Sequence, residues 1–273
     1  MPDPLLYLAA IGAAALAAAL LVAVLGWPRR ADKRGDERCT TRQRVAVVLG
    51  LAAGLAAGYW VLDLYVSWPA VNALDRFLTI ILPASIVVEL LAAFERAPRW
   101  LPWTLRTVLV AVTGRVLLDG SIYLSGSYPG WQIALLLGLC ASLTAALWVL
   151  LSILAARLPR GISLPIALAV AMVVSGFLIM VSGYVSGGAA TLPLSATLIA
   201  AASVNAIQSR RPHIQAPLGI GVVGLSSLLF IGRLFGGLST PVAVALLLAP
   251  LLCWAPQLFL LFRRNRVAED RHG

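Results

Sequence analysis

The chain has 273 residues, of which 60% are hydrophobic and only 12% charged, and it carries a formal net charge of +10. Soluble domains run about 45–50% apolar and about 25% charged, so an ordinary soluble enzyme or binding module is excluded. With 3 cysteines and 2 histidines, none at paired spacing, a disulfide framework or a zinc site is excluded as well.

A helix needs roughly 20 apolar residues to cross about 30 Å of hydrocarbon. Taken in chain order, the sequence predicts spans at Pro4–Gly26, Val45–Trp68, Phe77–Phe94, Thr107–Leu124, Trp131–Ala156, Ile162–Val185, Ala189–Ile207, Ala216–Gly236 and Pro241–Phe262. The expected fold is all-α, a polytopic helical bundle of about nine spans forming a single integral membrane domain over residues 1–273. Residues 1–26 read as an N-terminal anchor, 45–262 as four helical hairpins and 263–273 as a tail. The stretch Met1-Pro2-Asp3-Pro4 carries a carboxylate rather than a positive charge, so the first span reads as a permanent anchor and not a cleaved signal.

Arginine and lysine are retained in cytoplasmic connections. They cluster at Arg29, Arg30, Lys33, Arg34, Arg38, Arg42 and Arg44, at Arg96, Arg99 and Arg106, at Arg157 and Arg160, at Arg210 and Arg211, and in the tail from Arg263. This pattern predicts an outside N-terminus and a cytoplasmic C-terminus. It also accounts for the net charge without nucleic acid. The Arg29–Arg44 loop is a candidate contact for anionic lipid headgroups, each basic residue adding about 1 kcal/mol at the surface. Lys33 is the single lysine among the 21 basic residues, a codon bias that points to a GC-rich bacterial genome and a bacterial cytoplasmic membrane.

Three outward-running spans end in similar triplets: Tyr65-Val66-Ser67, Tyr123-Leu124-Ser125 and Tyr184-Val185-Ser186. Two readings stand. One is a parallel repeat of the kind found in transporters; the other is the preference of tyrosine for the interface and serine for turns. Gly50, Gly54 and Gly58 recur every four residues, which puts a small face on the second span for close packing. Gly12, Ala13 and Ala17 of the first span are the expected matching surface, and Leu51 lies off that face. Pro83, Pro250 and Pro256 are expected to bend their helices.

An ionisable residue in a span costs roughly 2.5–3.5 kcal/mol on insertion scales and usually faces a partner or water. Asp63, Glu89, Arg115, Asp119 and Arg233 fall in the predicted spans. Asp63 and Asp119 are each expected about 7 Å below the outer boundary. Arg115 and Asp119, four apart, share a helix face. Asp63, Arg115, Asp119, Tyr123 and Arg233 therefore form the candidate polar intramembrane site, read either as a structural ion pair with polar neighbours or as an outer vestibule for a solute. Glu89 stands near the inner boundary, within reach of Arg96 or Arg99.

Catalytic, cofactor and metal sites are not expected. Asp119 follows Val116-Leu117-Leu118 rather than the Gly-x-Gly of intramembrane aspartyl proteases, no histidine lies in a span, and no phosphate-binding Gly-rich loop with lysine occurs. The stretch from Gly114 through Arg115, Asp119, Gly120 and Tyr123 to Gly126, with Leu74-Asp75-Arg76, resembles uncharacterised multi-pass membrane proteins of planctomycete-type bacteria. That resemblance brings no activity. The sequence thus leaves a small-solute transporter or permease-like protein, and alternatively a non-catalytic membrane subunit or scaffold of a larger complex.

Overall fold

The computed structural model describes residues 4–27, 37–64, 69–94, 98, 100–121, 129–157, 162–208 and 215–255, without the side chains of 37–40. Eight helices are long and apolar enough to cross a membrane: α1 (Pro4–Gly26), α2 (Glu37–Val61), α3 (Ala73–Ala93), α4 (Trp100–Leu118), α5 (Gly130–Arg157), α6 (Ser163–Val181), α7 (Val185–Gln208) and α8 (Gln215–Phe235). A shorter apolar helix, α9 (Thr240–Leu248), continues as a 3-10 turn over Ala249–Trp254. No strand occurs among the described residues. The chain is a polytopic all-α bundle. The remainder of the ninth predicted segment, from Pro256 onward, lies outside the described residues, as does most of the Arg29–Arg44 loop.

Successive spans alternate in direction, so α2, α4, α6 and α8 finish at one end of the bundle, here the distal end, and α1, α3, α5 and α7 at the proximal end. Exposed tryptophans mark both: Trp60 and Trp131 distally, Trp27, Trp100 and Trp103 proximally. Such belts form at the two membrane–water interfaces. Between them the perimeter is apolar, with Leu8, Leu16, Leu20, Phe177 and Val181 exposed, and this is the lipid-facing surface.

At the centre stands α8, packed against α2, α3, α4, α5, α6, α7 and α9. Of its apolar stretch 72% is buried, against 22% in α1 at the edge. Gly219, Gly221, Gly224 and Gly232 let neighbouring helices come close to α8, and close approach is the main source of helix association where lipid is as apolar as the core.

The glycine face of α2 packs as expected, but against a different strip of α1. A Cβ on Gly54 would lie 2.7 Å from the Ala14 carbonyl oxygen and 2.8 Å from the Ala18 Cβ. The partner surface is Ala10, Ala14, Ala18 and Val22, all fully buried, while Gly12 has open space around it. Gly12, Ala13 and Ala17 were expected because they are small, but several strips of α1 carry small residues at four-residue spacing, and spacing alone does not choose among them. Leu51, which lies off that face, is itself fully buried.

Helix geometry changes beside Pro83 and Pro250, while Pro256 lies outside the described residues. The helix of α3 widens into a π turn over Phe77–Ile81 just before Pro83; proline lacks an N–H and its ring crowds the carbonyl four residues back, here Thr79, so the preceding turn opens. In α9 the change to 3-10 geometry begins at Ala249, beside Pro250.

Helix ends differ most from expectation. At α2 the Leu64 N–H reaches the Tyr59 carbonyl at 3.2 Å and the Asp63 N–H the Trp60 carbonyl at 3.1 Å, with Asp63 at φ 55. This is a Schellman cap with Asp63 as its left-handed residue. Asp63 is thus exposed just beyond α2, not a turn and a half inside a span. Hydropathy could not reveal this, because Leu64, Tyr65 and Val66 carry the apolar run past the true helix end. Likewise α4 starts at Trp100, with Pro102 in its first turn, rather than at Thr107, and it stops at Leu118 before Gly120, whose φ is 62. Asp119 therefore sits in a turn.

Left-handed residues follow all four helices that finish distally: Asp63, Gly120, Gly183 and Gly237. Counted from the first three, the tyrosines of the recurring triplets fall two, three and one residues on. The triplets are out of register with the helix ends they follow, which favours interface and turn preferences over a repeat. Tyr65 and Tyr123 themselves lie outside the described residues.

Candidate functional site

At the distal end the chain brings Arg115 and Asp119 together, as their spacing predicts. Arg115 Nη1 lies 3.8 Å from Asp119 Oδ1, with the two side chains 58% and 69% exposed. An exposed pair one turn apart contributes at most about 1 kcal/mol, so it is no buried lock. The Asp119 carbonyl also accepts from Arg76 Nη1, while Arg76 Nη2 donates to the Val71 carbonyl at 3.3 Å. Arg76 thus fastens the start of α3 to the end of α4.

Two other members of the candidate site, Arg233 and Asp63, make separate contacts at the same end. Arg233 Nε donates to Thr240 Oγ1 at 2.6 Å, closing the α8–α9 turn. Asp63 stands at the rim of a groove between α2 and α3. Among the described residues no ion pair or hydrogen bond links Asp63 or Arg233 to the Arg115–Asp119 pair. Tyr123 lies outside the described residues.

A different ion pair holds the proximal half. Arg106 Nε and Nη2 donate to the two carboxylate oxygens of Glu89 at 2.8 Å and 2.7 Å, and the side chains are 6% and 2% exposed. The guanidinium lies 5.4 Å from the Trp103 ring and 5.3 Å from the Trp148 ring. Behind Glu89 there is room only because position 219 is glycine: a Cβ there would lie 2.6 Å from the carboxylate carbon and 2.9 Å from Trp148 Cζ2. Four helices, α3, α4, α5 and α8, therefore meet at one bidentate pair. Its forked geometry and the two nearby rings occupy the guanidinium, which makes it a clamp rather than an open binding group.

The sequence reading assigned Arg106 to a cytoplasmic connection and offered Glu89 to Arg96 or Arg99, both now outside the described residues. The correction has a simple cause. With α4 beginning at Trp100, α3 and α4 form a hairpin about Pro98, and residues equally far from a hairpin turn face each other at one depth. Glu89 and Arg106 sit nine and eight residues from Pro98. That symmetry was the available signal.

Neutral polar contacts cluster at the same end. Gln43 Nε2 donates to Asn205 Oδ1 at 2.9 Å, and Gln208 Nε2 to the Ala23 carbonyl at 3.1 Å, joining α2 to α7 and α7 to α1. Further along, the Tyr59 hydroxyl donates to the Ala190 carbonyl at 3.0 Å, where α7 is interrupted near its start. A small cavity of about 30 Å³ between α4, α5 and α8 is bordered by Thr113, Cys140, Thr144, Ser226 and Ser227, room for one water. Among the described residues no cluster of three potential metal ligands exists.

The chain matches no protein-family model, no curated protein and no solved structure. The apolar helices establish a membrane protein, and its geometry carries the functional reading.

Proposed function

We propose that the protein is a non-catalytic membrane subunit or scaffold, working through association with other proteins rather than by passing a solute. The close packing around α8 among the described residues is the observation that supports this. Along α8, buried side chains run from Pro217 to Gly232, and Leu168, Leu194 and Leu198 pack into its glycine positions. A transporter would gather its charges about a space between helices. Here Arg115, Asp119 and Arg233 spend their contacts at the distal rim, and Glu89 and Arg106 on each other. Protein solubilised in mild detergent should migrate as a complex larger than one chain and crosslink reproducibly to the same partner. A lone chain that moves solute in proteoliposomes would overturn the reading.

The distal end is proposed to face outward and the proximal end the cytoplasm of a bacterial cell, with the Arg29–Arg44 loop against anionic lipid. Cysteines introduced in the 126–130 connection should then react with impermeant reagents on intact cells, and those at Ser209 or Asn265 should not. Labelling at Asn265 in intact cells would reverse the orientation.

A further inference from the structure

The groove between α2 and α3 has a volume of about 350 Å³ and walls of Ala52, Leu55, Ala56, Leu78, Leu82 and Ile86, with Asp63 at its mouth. It is built by the fold: Ala52 and Ala56 of α2 line it opposite Leu78, in the π turn over Phe77–Ile81, and Pro83. From Ala52 to Asp63 it runs about 16 Å along α2 at 1.5 Å per residue, close to half of a roughly 30 Å hydrocarbon core. Its depth is therefore that of one leaflet.

The mouth is not apolar. Asp63 is exposed and, among the described residues, carries no hydrogen bond or ion pair on its carboxylate. The turn does not need that carboxylate, since glycine takes a left-handed φ with less strain. Trp60, 81% exposed, stands one turn below it at interface level.

We propose that this groove holds an acyl chain of a membrane lipid with a primary ammonium headgroup, the ammonium resting on Asp63. A primary ammonium donates charge-assisted hydrogen bonds to a carboxylate. A quaternary ammonium has no proton to donate, and an anionic headgroup is repelled.

The full chain is placed in bilayers of equal phosphatidylethanolamine and phosphatidylcholine with matched acyl chains, and retained lipid is counted by native mass spectrometry. Wild-type protein is expected to retain the ethanolamine lipid in several-fold excess. Asp63→Gly and Asp63→Asn keep a residue tolerant of the left-handed turn, and both should still hold lipid but lose the headgroup preference. Ala56→Leu fills the groove and should lower retention of both lipids. Equal retention of the two headgroups by wild-type protein, or a preference unchanged in Asp63→Gly and Asp63→Asn, would overturn the proposal.

Discussion

Arg106→Leu is expected to remove most of the folded protein from the membrane. The substitution leaves the Glu89 carboxylate, 2% exposed, without its two donors, and breaking one side of a buried ion pair costs about 3–5 kcal/mol. Whole domains are stable by only about 5–15 kcal/mol. The loss also removes the cation from beside the Trp103 and Trp148 rings, which loosens α5. Glu89→Leu should be as damaging, because it strands the guanidinium. Combining Glu89→Leu with Arg106→Met replaces both charges by apolar groups of similar length, and that double variant should recover much of the lost accumulation. Thermal unfolding in detergent of the three variants is the check. A double variant less stable than either single one would show that the pair contributes more than mutual neutralisation.

Gly54→Leu is the second large effect. Its Cβ would meet the Thr197 methyl of α7 and, on α1, the Ala14 carbonyl and the Ala18 methyl. Backbone cannot rotate away as a flexible side chain can, so α1 must separate from α2. Overpacking of this kind costs typically about 1–3 kcal/mol, occasionally more. The same change at Gly138, where nothing lies within 4 Å, controls for the loss of glycine itself. Accumulation of folded protein should fall sharply for Gly54→Leu and hold for Gly138→Leu. Leu51→Ala is no neutral comparison, since Leu51 is core and its truncation leaves a cavity worth about 2–5 kcal/mol. Equal accumulation of the two glycine variants would mean that close packing of α2 against α1 and α7 at Gly54 is dispensable.

What the sequence made legible was set by hydropathy. Long apolar runs mark spans, and α1, α5 and α8 begin and end within a residue or two of expectation. Spacing also carried through where the relation is local: Gly50, Gly54 and Gly58 line one face, and Arg115 meets Asp119. Helix ends were not legible from hydropathy, because a left-handed turn at Asp63 or Gly120 stops a helix while the apolar run continues. That moved both aspartates from the predicted spans into the turns that follow them. The Glu89–Arg106 clamp was hidden for the same reason. Once α4 starts at Trp100 the two residues share a depth, but a start at Thr107 puts Arg106 in a loop. Contacts between distant spans, such as Gln43 with Asn205 or Tyr59 with Ala190, leave no mark in a single sequence.

The claim that the bundle axis is closed is tested most directly at Ser227, which is 1% exposed near the middle of α8. Ser227→Cys changes little in volume, and it is made in protein whose Cys39, Cys140 and Cys253 have been replaced by alanine. In membranes open to reagent from both sides, a water-soluble thiol reagent should leave Cys at 227 unmodified while reacting readily with Gly130→Cys at the distal surface. Modification at 227 at a rate approaching that at 130 would mean that water reaches the centre of the bundle, and the account of a filled, non-conducting scaffold would be contradicted.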